Sequence, residues 1–262
     1  MPMSVLQTNY KITNAMKRLL SIIICLITIC NVAAAQDIYV VSVGISTYKN
    51  INSLILPNKD AKAVADFYKE QTNNVITLTG KYATKSAIVK ALKDQFSRAK
   101  EGDAAIFFFS GHGCENGLCP YDDVVGNDNY LLSYKEIQAI FRNCKASRKI
   151  IFADACFSGN MVGRMDNSSR NDLELLLFLA CRDNETSIEK TYMANGVFTS
   201  YLLHGLRNNA DDNRDGEITA KELFSYVSKG VIYKTNDRQH PVMWGKFDDN
   251  MIINELYLDY HE

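Results

Sequence analysis

This chain has no surplus of either charge: 29 Lys and Arg stand against 30 Asp and Glu, a formal net charge of −1. Nucleic acids are gripped largely through Lys and Arg that displace counterions, so the composition offers no electrostatic case for a nucleic-acid partner. There is no internal repeat and no low-complexity tract, which excludes solenoid and tail-like architectures. Long apolar runs are missing too. The stretch Leu19 to Ile29 falls short of the about 20 residues that a membrane span needs. With the basic Met16-Lys17-Arg18 before it and Ala33-Ala34-Ala35 after it, it reads as a cleavable signal peptide rather than an anchor, residues 1–15 lying upstream of its start. Ile29 is too bulky beside Cys30 for a lipid-modified cysteine. The expectation is a secreted or periplasmic protein with no stable membrane span after cleavage. Residues 36–262 then form one domain, large enough for a proper core.

What is present is concentrated in two segments, Phe108-Phe109-Ser110-Gly111-His112-Gly113 and Phe152-Ala153-Asp154-Ala155-Cys156-Phe157-Ser158-Gly159. Each is an apolar run that ends in a reactive side chain among small residues. Ala104 to Phe109 and Ile150 to Ala153 read as fully buried strands. Further strands are expected at Ile38 to Gly44, Val75 to Leu78 and Leu173 to Cys181. Helices are expected at Asp60 to Gln71, at Thr84 to Lys100, and from a Ser133 cap to about Asn143, with Glu136 completing a capping box. Strands alternating with helices at this spacing predict an α/β fold with a mostly parallel sheet. Parallel strands deliver the residues beyond their ends to one carboxyl edge, where such folds bind ligands. His112 and Cys156 arriving there make a base and a nucleophile. The flanking glycines let a substrate backbone approach and leave amides for an oxyanion.

The Ser-Gly-His-Gly and Asp-Ala-Cys-Phe-Ser-Gly blocks resemble the two catalytic blocks of the caspase and metacaspase cysteine peptidases. The likeness runs from Ile38 to at least Gly205, and Asn58-Lys59-Asp60-Ala61 and Gly196-Val197-Phe198-Thr199 resemble bacterial caspase-like proteins in particular. The resemblance implies a three-layer α/β/α sandwich and hydrolysis of peptide bonds in protein or peptide substrates. Cys156 would attack the scissile carbonyl, and His112 would protonate the leaving amine. The N–H groups of Cys156 and Gly113 would hold the oxyanion. Asp154, two residues before the nucleophile, would pair with a basic substrate side chain and repel an acidic one. Metacaspases are similar here and cut after Arg or Lys. Asp60 aligns with a second acidic position of that pocket; the alternative for Asp60 is a helix N-cap. Gly159 to Asp172, with Arg164 and Arg170, sits where such zymogens carry a linker cut on activation.

Secretion shapes the cysteine reading. Cys25 and Cys30 leave with the signal and Cys156 must stay free. Cys114, Cys119, Cys144 and Cys181 remain, an even number in an oxidising compartment. Cys114 and Cys119 flank a short turn, and either bridge across it or stay as two unpaired thiols.

Residues 211–222, Asp-Asp-Asn-Arg-Asp-Gly-Glu-Ile-Thr-Ala-Lys-Glu, fit the EF-hand loop pattern. Asp211, Asn213, Asp215 and Glu222 would offer side-chain oxygens to Ca2+, and Glu217 its carbonyl, with Gly216 at the sharp turn. The alternative is a polar loop whose Asp and Asn only make turns. Helices are expected on both sides, at Thr199 to Leu206 and Lys221 to Lys229. No organic cofactor is expected. In the tail, Trp244 either lines the cleft or covers the sheet, and His240 reads as structural. Three other functions stay open: a clostripain- or gingipain-type peptidase, a calcium-stabilised binding module on the same fold, and a disulfide-braced surface protein.

Overall fold

The computed structural model describes residues 36–156, 159–164, 174–190 and 192–255. The expected signal peptide, residues Phe157 and Ser158, most of the expected linker with Arg170, Thr191 and the last seven residues lie outside them.

The architecture follows from which strands are apolar on both sides. β1 (Ile38–Gly44), β3 (Ala104–Gly111), β7 (Arg148–Ala155) and β8 (Leu175–Leu179) are continuous apolar runs, as strands covered on two faces must be. They form a six-stranded sheet with β2 (Val75–Thr79) and β10 (Val242–Lys246), in the order β10-β8-β7-β3-β1-β2. All pairings are parallel except β10 with β8. Alternate side chains enter opposite layers. Val41, Val43, Phe107, Phe109 and Ile151 pack under α2 (Lys85–Phe96) and α3 (Tyr134–Arg142). Val40, Ile106, Phe108, Phe152 and Phe178 pack under α1 (Pro57–Lys69), α5 (Val197–His204) and α6 (Ala220–Thr235). The result is the three-layer α/β/α sandwich. Among the described residues, no helix is long and apolar enough to cross a membrane.

Several boundaries differ from the sequence reading, each for a physical reason. α1 starts at Pro57, because a proline suits the first helical turn, so Asp60 lies inside that turn and is not its N-cap. Glu189, far away in sequence, accepts the amides of Ile55 and Leu56 there, at 3.1 and 2.9 Å. α2 stops at Phe96 rather than Lys100, where Ser97 Oγ turns back to the Asp94 carbonyl. α6 runs on through Gly230, where a reader of propensity would stop. The ring of Tyr201 lies so close that a Cβ at Gly230 would be 2.2 Å from it. Ser133 does cap α3, but the Glu136 carboxylate pairs with Lys85 at 3.3 Å. A short helix, α4 (Asn160–Arg164), opens the stretch expected to be loop. Trp244 belongs to β10, a strand absent from the sequence reading, and packs half-buried against the first core layer.

The stretch after β3 forms a small sheet of its own. It comprises β4 (Gly113–Cys114), β5 (Gly117–Leu118) and β6 (Leu132–Ser133). The 211–222 loop enters β9 (Glu217–Thr219), which pairs with β11 (Ile252–Glu255).

Candidate active site

The register of the central strands sets the site. β3 and β7 pair Ser110 with Asp154 and Gly111 with Ala155, so the next step along both chains is His112 beside Cys156. The chain turns tightly here: a Cβ on Gly113 would lie 2.5 Å from the Cys156 carbonyl oxygen. Only glycine allows that backbone approach.

His112 is held from one loop. Its Nε2 lies 2.8 Å from the Asn52 carbonyl oxygen, and its backbone N–H donates to Tyr48 Oη at 2.7 Å. The Tyr48 ring stands 4.9 Å from the imidazole. A carbonyl only accepts, so Nε2 carries the proton and the neutral ring keeps Nδ1 as its basic nitrogen. Among the described residues the imidazole and the thiol share no hydrogen bond. Cys156 is half-buried. Burial pushes its thiol above the usual range, and the negative charges of Asp154 and Glu189 add to this against a backbone hydrogen bond from Ser187. At rest Cys156 is therefore a thiol, and only loss of its proton would make it strongly nucleophilic.

The two aspartates meet beside it. Asp60 Oδ1 accepts from Asn195 Nδ2 and Gly196 N, and its Oδ2 from Ser110 Oγ, all at 2.9 Å. Asp154 Oδ2 accepts from Thr199 Oγ1 at 2.6 Å and from Thr199 N at 3.2 Å, and Ser187 Oγ bonds Oδ1. Gly196 fills the space between them: a Cβ there would be 2.7 Å from Asp154 Oδ2 and 3.2 Å from Asp60 Oδ2. Burial, and then the charge of Asp154, push Asp60 up to about 7. Burial raises Asp154 as well. Two carboxylates in one dry site resist double ionisation, so the pair holds a proton near neutral pH.

The family with this arrangement can now be compared directly. The sequence pattern of the caspase domain family of peptidases matches residues 39–252. The chain belongs to the caspase domain family. It is also 26% identical over 177 residues to a probable protease of a Desulfuromonadales bacterium, covering 57% of this chain and 22% of that one. The chain thus spans about a fifth of that relative's length. A crystal structure of a Geobacter sulfurreducens protein superposes with a TM-score of 0.64 at 18% identity, over 84% of this chain and 99% of the other. That likeness concerns the fold alone.

For a caspase-domain chain, sequence reasoning missed the supporting residues. Tyr48, Asn52, Ser187 and Glu189 sit far from the two motif blocks and carry no local signature, and Thr199, within the Gly196 to Thr199 resemblance, was not read as a partner of Asp154. His240 has partners other than Cys156. Its Nδ1 lies 2.7 Å from Glu185 Oε1 and its Nε2 3.0 Å from Asp237 Oδ1, pinning the segment that carries Ser187 and Glu189. Cys114 and Cys119 are free thiols, as are Cys144, Cys156 and Cys181.

The 211–222 loop is organised differently. Gly216 takes φ +86°, as the sharp turn requires. Asp211 Oδ1 and Asn213 Oδ1 accept Asp215 N, Asp211 Oδ2 accepts Gly216 N, and Asp215 Oδ1 accepts Glu217 N. The Glu222 carboxylate completes a capping box with Thr219. Among the described residues no three His, Cys, Asp or Glu side chains gather as a metal would need.

Proposed function

We propose that this caspase-domain peptidase is a Cys-His endopeptidase that cuts after Arg or Lys. The observation that carries the reading is the acidic pair of Asp154, two residues before the thiol at the sheet edge, and Asp60, which helix α1 brings beside it. A guanidinium or ammonium group entering there replaces the proton that the pair otherwise holds, and an acidic side chain meets repulsion. With that side chain anchored, the scissile carbonyl lies over Cys156. His112 Nδ1 takes the thiol proton, the thiolate adds to the carbonyl carbon, and the oxyanion faces the amides of Cys156 and Gly113. His112 then gives its proton to the leaving amine, and water drawn on by the same imidazole releases the acyl group.

Matched peptides with Arg, Lys or Asp before the scissile bond test the reading. Turnover of the Arg and Lys peptides is expected, and a preference for Asp overturns it. In this reading the protein works outside the cytoplasm, as the composition of residues 16–35 implies, and residues 159–172 offer basic sites for self-cleavage.

Calcium is the proposed ligand of the 211–222 loop, because its donors are hard oxygens on a loop already turned at Gly216. Asp211, Asn213, Asp215, Glu222 and the Glu217 carbonyl would hold it, at the loss of amide hydrogen bonds now made inside the loop.

A further inference from the structure

The hairpin behind His112 carries chemistry that peptide hydrolysis does not use. β4 and β5 pair Gly113 with Leu118 and Cys114 with Gly117. Cys119 N continues the ladder by donating to the His112 carbonyl at 3.0 Å. Side chains alternate between faces along a strand, so His112, Cys114 and Cys119 share one face. Gly117, opposite Cys114, has no side chain, which leaves the diagonal to Cys119 open. The two thiols are thus diagonal neighbours that shift each other's acidity, and the Asp123 carboxyl acts on Cys119 as well. His112, Cys114, Cys119 and Asp123 all line one open cavity of about 520 Å³. Cys114 is half-buried, whereas Cys119 and Asp123 are only 6% and 5% exposed. Asp123 Oδ1 has no hydrogen-bond partner among the described residues.

We propose that Cys114 and Cys119 form a redox-active thiol pair, a site for disulfide oxidants separate from the Cys156 centre. Cys114, the accessible member, attacks one sulfur of a small disulfide as its thiolate. The S–S bond breaks, one small thiolate leaves and a mixed disulfide forms. Cys119 passes its proton to the Asp123 carboxylate and attacks Cys114 Sγ. The second small thiolate leaves and the Cys114–Cys119 bond remains. The two protein thiols together lose two electrons and two protons, and the external disulfide gains both to become two thiols.

The division of labour agrees with the acidities. The neighbouring Cys119 holds the Cys114 thiol below its ordinary range despite burial. Cys114 in turn, then burial and Asp123, hold Cys119 above it. Cys156 is also held protonated, so at equal access Cys114 reacts first. A bridge needs Cβ atoms about 4 Å apart, closer than the about 7–8 Å typical of diagonal neighbours. Closure therefore draws the hairpin strands together and moves the Cys119 amide that holds the His112 carbonyl.

The test uses full-length Cys156→Ala protein treated with oxidised glutathione, then alkylated with iodoacetamide and digested with trypsin. One tryptic peptide, Glu101 to Lys135, contains both cysteines and none of the others. The expected product is this peptide unalkylated and lighter by two hydrogens, with Cys144 and Cys181 still alkylated. Cys119→Ser is expected to trap glutathione on Cys114, and Cys114→Ser to leave Cys119 unmodified. Asp123→Asn is expected to slow the second step on the order of 100-fold, so that the adduct accumulates. Two alkylated thiols in the peptide, at glutathione levels that modify Cys156 in the wild type, overturn the proposal. A lasting adduct on Cys114 that Cys119 never resolves overturns it as well. Because the readout is a bond in a chain without Cys156, it does not depend on whether the protein cuts peptides.

Discussion

The carboxyl edge of the sheet and the 211–222 loop are both rich in aspartate, yet they use it in opposite ways. At the edge, Asp60 and Asp154 arrive from a helix and a strand far apart in sequence, and their charges oppose each other in a dry site. In the loop, the carboxylates of Asp211 and Asp215 accept amides a few residues away. The edge stores unfavourable electrostatics that a cationic ligand relieves. The loop is already at rest, so a cation there must compete with bonds in place. Density of acidic residues therefore says little about function; what matters is whether the chain leaves their charge unsatisfied.

The comparison can be broken at four points. Cys156→Ala is expected to abolish peptide hydrolysis, and His112→Ala to lower kcat by about 10²–10⁴-fold with modest change in KM; steady-state assays on an Arg peptide decide it, and retained turnover in Cys156→Ala breaks the picture outright. Asp154→Asn is expected to lower kcat/KM for Arg and Lys peptides about tenfold or more, chiefly through KM, while narrowing the discrimination against Asp peptides. An unchanged ratio would place specificity elsewhere.

The third prediction concerns pH. Asp60 titrates near 7 in the folded protein because of burial and then Asp154, far above its unfolded value of about 3.9. The folded state binds the extra proton, so this group's contribution to stability is fully present below the unfolded value and is lost as pH rises through about 7. Asp60→Asn is expected to raise Tm at pH 8, with the gain shrinking toward pH ~5. For the same reason kcat/KM for basic peptides is expected to fall as pH drops below about 7. Differential scanning calorimetry and a pH profile check the pair. The smallest effect is at the loop: millimolar Ca2+ is expected to raise Tm by a few degrees, about 4 °C or less, and Asp215→Ala to remove the rise. No calcium shift at all would leave the loop a turn.

How far the sequence could be read depended on how local each signal was. The central strands were legible because both of their faces are buried, and His112 and Cys156 because each ends such a strand in small residues. Their adjacency could be expected from parallel pairing alone. Asp60 was legible only as an alignment, since nothing in Asn58-Lys59-Asp60 reveals that Pro57 starts the helix and frees the carboxylate from capping. Glu189 was not legible at all, and Thr199 was legible only as part of a resembling segment: both act through contacts more than 40 residues away in sequence. Strand β10 escaped because Pro241 and Gly245 break its pattern, and only its partner β8 makes it a strand.

One loop has a consequence out of proportion to its chemistry. Tyr48 and Asn52 hold the backbone and the ring of His112. Between them lies Lys49, whose amide is fastened to the Tyr121 carbonyl at 3.0 Å. A single cut after Lys49 would leave every reacting atom intact and the sheet unbroken, yet it would unmoor the imidazole. The segment after the first strand would thus act as a fuse: if the proposed specificity for basic residues holds, a second copy of the protein could silence it there.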